Sequence, residues 1–214
     1  MKNMIDAKMN EIRVLITNSI SHEVISQKLS EFGYTSEKLQ QGLAMFTQVE
    51  NFVTDQRKEY NEQYEASDIF YETWDIVKIS YMRTLKFVRI AFEGNTKILN
   101  DMHANQSRSE RYDVWRVDAR ALYDTLLGDE SLINVMLEFG YSFEKLTEEF
   151  EDVKNLDTLR NNYLSEKGEA QHSTQIRDQK LQELLVWKGR LVRVARLAFA
   201  DQPQYLEILG IIVK

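Results

Sequence analysis

Glu31-Phe32-Gly33-Tyr34-Thr35-Ser36-Glu37-Lys38-Leu39 returns 107 residues later as Glu138-Phe139-Gly140-Tyr141-Ser142-Phe143-Glu144-Lys145-Leu146. The same gapless offset pairs Leu15 with Leu122, Glu59 with Glu166, Arg83 with Arg190, Arg89-Ile90-Ala91-Phe92 with Arg196-Leu197-Ala198-Phe199, and Leu99 with Leu206. Self-similarity at a fixed spacing marks a repeated structural unit, and two units of this length fill the 214-residue chain. The expectation is a tandem duplication, with one copy over residues 1–104 and the other over residues 108–214.

The repeated stretch reads as a helix stop followed at once by a helix start. Gly33 and Gly140 end apolar-periodic runs, where glycine can take the left-handed conformation of a C-terminal cap without a Cβ clash. Thr35 and Ser142 then offer hydroxyl oxygens to the unpaired N–H groups of the next helix. Glu37 and Glu144 stand near its positive end. This is the chemistry of a corner between helices, and it carries no reaction.

Composition sets the class. One proline and eight glycines in 214 residues, with abundant Leu, Glu, Lys, Gln and Met, favour long helices over a turn-rich sheet. The fold class is all-α. Each copy is expected to be an up-and-down bundle of about four helices. The formal charge is −7, and residues 1–107 carry 12 basic and 15 acidic side chains. Neither half is a basic domain, which disfavours nucleic acid as a partner. The absence of cysteine removes disulfides, thiolate metal sites and thiol catalysis, and suits a reducing compartment. With no apolar run of membrane-spanning length and no signal-peptide core after Met1, the expected location is the cytoplasm.

Along copy 1, Ile5, Met9, Ile12 and Ile16 predict a helix to about Asn18, and a shorter one follows from about His22 to Phe32. Beyond the Gly33 corner, Leu39, Leu43, Phe46, Val49 and Phe52 predict a long helix ending near Tyr64. Tyr71, Trp74, Val77, Tyr81, Leu85, Val88 and Phe92 predict a separate, more apolar one. Asn95 should cap a short final helix carrying Ile98 and Leu99, at the place where copy 2 reads Gln202-Pro203. Residues 100–110 are polar and lack apolar periodicity, so the boundary between copies is placed there. Ser107 and Glu110 have capping-box spacing. A hinge and an unbroken helical rod both fit that segment. In copy 2, residues 168–174 hold Gly168, Ser173 and Thr174 and read as the turn between the two long helices.

The endings Arg89-Ile90-Ala91-Phe92 and Arg196-Leu197-Ala198-Phe199-Ala200-Asp201-Gln202-Pro203-Gln204-Tyr205-Leu206-Glu207-Ile208-Leu209-Gly210 resemble the close of uncharacterised bacterial tandem helical-bundle proteins. The resemblance implies a helical bundle and a bacterial source. It carries no activity.

Candidate chemistry is sparse. Glu169 and His172 have the Glu-x-x-His spacing used by carboxylate-bridged di-iron bundles. No second such pair exists, and Glu65 stands at the position equivalent to His172, so no metal site is assigned. Phosphate-binding glycine loops, a Gly-x-Ser-x-Gly elbow and paired histidines are all absent, so no catalytic residue and no cofactor are assigned. The aromatic stripe through Tyr71, Trp74, Tyr81 and Phe92 reads as core before it reads as a ligand pocket. Lys188, at the position equivalent to Tyr81, is the only charge at a central core position.

The feature that points toward binding is a repeated row of cations. Arg83, Lys86 and Arg89 fall on Arg190, Arg193 and Arg196 at the common offset, on the flank away from the predicted core stripe. Such cations can complement the negative end of a helix and nearby carboxylates such as Glu11, Glu31 and Glu37, or they can form a surface for an acidic partner. The functional expectation is a non-catalytic helical interaction or scaffold module that meets a protein partner or itself. The alternative is a small-molecule or metal-binding bundle with enzymatic activity.

Overall fold

The computed structural model describes residues 2–212, and among them every regular element is helical. The order is α1 (Lys2–Ser21), α2 (Glu23–Glu31), α3 (Ser36–Ala91), α4 (Thr96–Asp101), α5 (Tyr112–Leu127), α6 (Glu130–Leu137), α7 (Phe143–Ala198) and α8 (Gln204–Ile208). No helix among the described residues is long and apolar enough to cross a membrane.

Both glycine corners form as expected. Gly33 has φ +82° and Gly140 φ +78°. The Tyr34 N–H donates to the Leu29 carbonyl (2.9 Å) and the Gly33 N–H to that of Ser30 (3.0 Å). Tyr141 and Gly140 do the same to Met136 (3.1 Å) and Leu137 (3.0 Å). This pair of bonds satisfies carbonyls that a helix end leaves open. On the far side, Thr35 and Ser142 accept from the Lys38 and Lys145 N–H groups (3.4 and 3.3 Å). The lysine of each motif also lies over its tyrosine ring, at 4.2 Å for Lys38 and Tyr34 and 3.6 Å for Lys145 and Tyr141.

The expected helix end near Tyr64 and the expected turn at residues 168–174 are both absent: α3 and α7 are single helices of 56 residues. Thr174 and its neighbours tie the two helices together at a level where sequence reading placed a turn. Gln56 Nε2 donates to Thr174 Oγ1 (2.8 Å), Thr174 donates back to the Ala170 carbonyl (3.0 Å), and Arg177 donates to Gln56 Oε1 (2.5 Å). A hydroxyl that bonds the carbonyl four residues earlier stays compatible with helix.

The chain divides into two compact units that cut across the sequence halves. The first contains Met1–Asn61 and Gly168–Lys214, and the second is Glu62–Lys167. The expected boundary near residue 105 therefore lies inside the second unit, and 1–104 and 108–214 are not the compact units. Continuity of α3 and α7 is the reason, since each helix carries its first half into one unit and its second half into the other.

In the first unit, α1, α2, the start of α3, the end of α7 and α8 bury Ile12, Leu15, Ile16, Ile25, Leu29, Leu39, Leu184, Leu191, Ala195 and Phe199. Each such aliphatic or aromatic side chain contributes about 1.5–3 kcal/mol on removal from water. Arg13 of α1 pairs with Glu50 of α3 (2.5 Å). Lys188, expected in the core, is half-buried and reaches Glu11 (2.8 Å), so its ammonium leaves the apolar layer along its own stem.

In the second unit, the end of α3, α4, α5, α6 and the start of α7 enclose an aromatic core of Phe70, Trp74, Tyr81, Tyr112, Trp115, Tyr123, Tyr141 and Phe150. Tyr71 is exposed, and its neighbour Phe70 takes the buried place in the stripe. Asp157 of α7 is held by α5, accepting from Tyr112 Oη (2.9 Å), Arg116 Nη2 (2.8 Å) and Arg120 Nη2 (2.8 Å). Burial opposes ionisation of Asp157, yet these hydrogen bonds outweigh it and leave its pKa below the ordinary carboxylate range.

The connection between α4 and α5 is neither a rod nor an open hinge. The Ala104 N–H donates to the Leu99 carbonyl (2.7 Å) and the His103 N–H to that of Asn100 (3.0 Å), with His103 at φ +52°. Arg108 staples the segment, bonding the His103 and Gln106 carbonyls, the Tyr81 hydroxyl and the buried Asp118 (3.3 Å). Ser107 does not cap α5. That helix begins at Tyr112 with Arg111 as a cap that makes no side-chain bond, and Glu110 pairs with Lys78.

Candidate interaction surface

The six cations singled out by their spacing are all exposed, on the last three turns of α3 and of α7. They differ in what they touch. Arg89 donates from Nε to the Ala104 carbonyl (2.8 Å) and so fastens the α4–α5 connection. Arg83, Lys86, Arg190, Arg193 and Arg196 make no ion pair or hydrogen bond with any described residue. Glu11 pairs with Lys188 and Glu31 with Lys28, so neither serves these cations. Arg190 and Arg193 do act on Tyr34 through space. Burial raises the Tyr34 pKa and the two guanidiniums oppose it.

Each row sits in a stretch without acids. From Ile76 to Ile90 the charged residues are Lys78, Arg83, Lys86 and Arg89, bounded by Asp75 and Glu93. From Leu184 to Ala200 they are Lys188, Arg190, Arg193 and Arg196, bounded by Glu183 and Asp201. In a chain of net charge −7, these two helix ends are local islands of positive charge.

Sequence reading missed what flanks the cations. Ile79 is 63% exposed and Ile90 60%, while at the equivalent positions of α7 Val186 is 47% and Leu197 72% exposed. Ile79, Arg83, Lys86 and Ile90 are spaced four, three and four apart, and Val186, Arg190, Arg193 and Leu197 repeat the pattern. At about 100° per residue each quartet spans an arc of roughly 60°, and along the axis it covers about 16 Å. The line through each quartet lies on the side of its helix opposite the buried line. The buried lines run through Tyr81, Leu85 and Val88 in α3 and through Leu184, Leu191 and Ala195 in α7. The available signal was the eleven-residue separation of Ile79 and Ile90, about three helical turns, which puts both on one face away from Tyr81, Leu85 and Val88.

Other candidates resolve into structure. Glu169 and His172 are exposed on α7, so their spacing faces solvent and not a bundle core. Glu149 accepts from Thr84 Oγ1 (2.6 Å) and Tyr123 Oη (2.9 Å), and burial together with this carboxylate pushes the Tyr123 phenol far up. Asp118 is taken by His103 Nδ1 (3.0 Å) and Arg108. Comparison of the chain with protein-family models, with curated proteins and with solved structures finds no match.

Proposed function

We propose that this chain is a non-catalytic helical interaction module, built from two related sequence copies whose helices are shared between two compact units, which uses the outward faces near the ends of α3 and α7 to hold a protein partner. The observation that carries the reading is that Arg83, Lys86, Arg190 and Arg193 stand without partners among exposed aliphatic side chains. The helix dipole accounts for less. Its effect fades within the last turn, which reaches Arg89 in α3 and Arg196 in α7 and stops short of the other four. Largely exposed aliphatic side chains and unpaired cations contribute little to folding, whereas the same side chains set in one row suit an interface with an apolar line and charge selectivity. Carboxylates that could serve acid–base chemistry, the buried Asp118 and the half-buried Glu149 and Asp157, are committed to hydrogen bonds that join one segment to another.

The test is the double variant Arg83→Glu, Arg190→Glu. Its thermal stability should stay within about 0.5 kcal/mol of the parent, as expected for exposed positions. Association with a co-purifying protein, or self-association read by sedimentation, should be lost. A folded variant that keeps the associations of the parent would remove these faces from the function.

A further inference from the structure

Resting on that reading, we infer that each face is a docking seam for one acidic amphipathic helix of a partner protein. Spacing and charge together select this occupant. The quartets Ile79, Arg83, Lys86, Ile90 and Val186, Arg190, Arg193, Leu197 have the alternating three–four spacing by which one helix lays a seam along another. In each, two aliphatic side chains bracket two cations within one narrow line, so a helix lying there meets charge in the middle of its apolar contact.

That placement discriminates among partners. A second copy of the same face is disfavoured, because pairing the quartets in either direction brings Arg83 and Lys86, or Arg190 and Arg193, against cations. An anionic lipid surface is a poorer match. Helices that lie on membranes keep an unbroken apolar centre and put their cations on the polar flank, whereas here the cations interrupt the apolar line. A helix with aliphatic residues at its own seam positions and Glu or Asp opposite the cations satisfies both parts of the row. A cation at a seam position penalises any partner that lacks the carboxylate, so the row selects as well as binds. The matching quartets on α3 and α7 make the chain a receptor with two such seams, one in each compact unit.

The experiment uses the full chain and two synthetic helical peptides of about three heptads. The acidic peptide carries Leu at its seam positions and Glu opposite the cations, and the basic one carries Lys in place of Glu. Fluorescence anisotropy at low salt should show saturable binding of the acidic peptide, one at each face, weakening as salt rises. The basic peptide should not bind. Arg83→Glu with Lys86→Glu should weaken the acidic peptide at the α3 face by roughly tenfold or more, and should create binding of the basic one there. Ile79→Ser with Ile90→Ser should weaken binding comparably with all cations intact.

Absence of saturable binding to the acidic peptide overturns the inference, as does undiminished binding by the serine variant. Phosphatidylserine vesicles that bind the chain and displace the peptide would assign the face to a membrane instead. If the peptide fails while the Arg83→Glu, Arg190→Glu variant still loses its native association, the interaction module stands and the helical partner falls. If the variant keeps that association as well, both fall.

Discussion

Gly42 of α3 faces the indole of Trp187 of α7 so closely that a Cβ built on it would lie 2.2 Å from the Cη2 and Cζ2 atoms of the ring. Glycine inside a helix ordinarily costs about 1 kcal/mol relative to alanine, and here the missing side chain is the room that the tryptophan occupies. At the common offset the pair becomes Glu149 and Ser80, and the same level is filled by the carboxylate that Thr84 and Tyr123 hold.

Gly42→Ala should therefore destabilise the protein despite its better helix propensity. The overpacking penalty is about 1–3 kcal/mol, larger than the propensity gain. Trp187 must also move, and its fluorescence should shift toward that of a more solvated indole. An alanine variant as stable as the parent, with unchanged emission, would show that the ring yields freely.

Separating the chain at residues 105–108 tests the compact units directly. Fragments 1–105 and 108–214 each hold half of both units, because α3 and α7 are each shared between them. Each fragment alone should lack a cooperative melt, and mixing the two should restore it. Two independently melting fragments would show that each sequence half closes its own core.

Much of this fold was legible in residues and some was not, and the difference is physical. Gly33, Gly140, Thr35, Ser142 and Asn95 act through local backbone chemistry, so their caps could be read one residue at a time. Gly168, Ser173 and Thr174 have the same composition as a turn, yet nothing local distinguishes a breaking hydroxyl from one that cross-links to Gln56 on another helix. The cations were legible because their charge repeats. The seam they belong to was not, because Ile79 and Ile90 look like core residues until the buried line through Tyr81, Leu85 and Val88 is known.

Asp157 should give the protein an acid-sensitive component of stability. Its folded pKa is depressed below the unfolded value of about 3.9, so its contribution is full above that value and is lost as pH falls through the folded pKa. At neutral pH, Asp157→Asn should cost about 1–3 kcal/mol, since Arg116 and Arg120 lose a charged acceptor. The gap between the denaturant midpoints of parent and variant should begin to narrow as pH falls below about 4 and close only below the depressed folded pKa. A gap that persists unchanged into acid would mean that the carboxylate charge is not what joins α5 to α7.

His103 occupies, at the common offset, the place of Gly210, and both have positive φ. A non-glycine residue there carries about 1–2 kcal/mol of backbone strain, and the histidine is held by its bond to Asp118. His103→Ala keeps the strain and loses the bond, whereas His103→Gly loses the bond and relieves the strain. The glycine variant should melt above the alanine variant. The reverse order would place the strain elsewhere.

Division of the chain into an interrupted unit and an uninterrupted one orders events during synthesis. Residues 62–167 are contiguous, so that unit has all of its parts once the start of α7 has left the ribosome. The other unit needs segments from both sides of that stretch, 1–61 and 168–214. Until Leu184, Leu191 and Ala195 emerge, the apolar faces of α1 and α2, with Ile12, Ile16, Ile25 and Leu29, wait without their covering helix. Such distant closure is the slow kind, because loop entropy is lost before the contacts are gained. Nascent chains stalled so that residue 167 has just cleared the ribosome should resist protease across 62–167 and be cut within 1–61. Helices α1 and α2 are thus made before α7 yet covered only after it, and their apolar faces are where a chaperone would have most to shield.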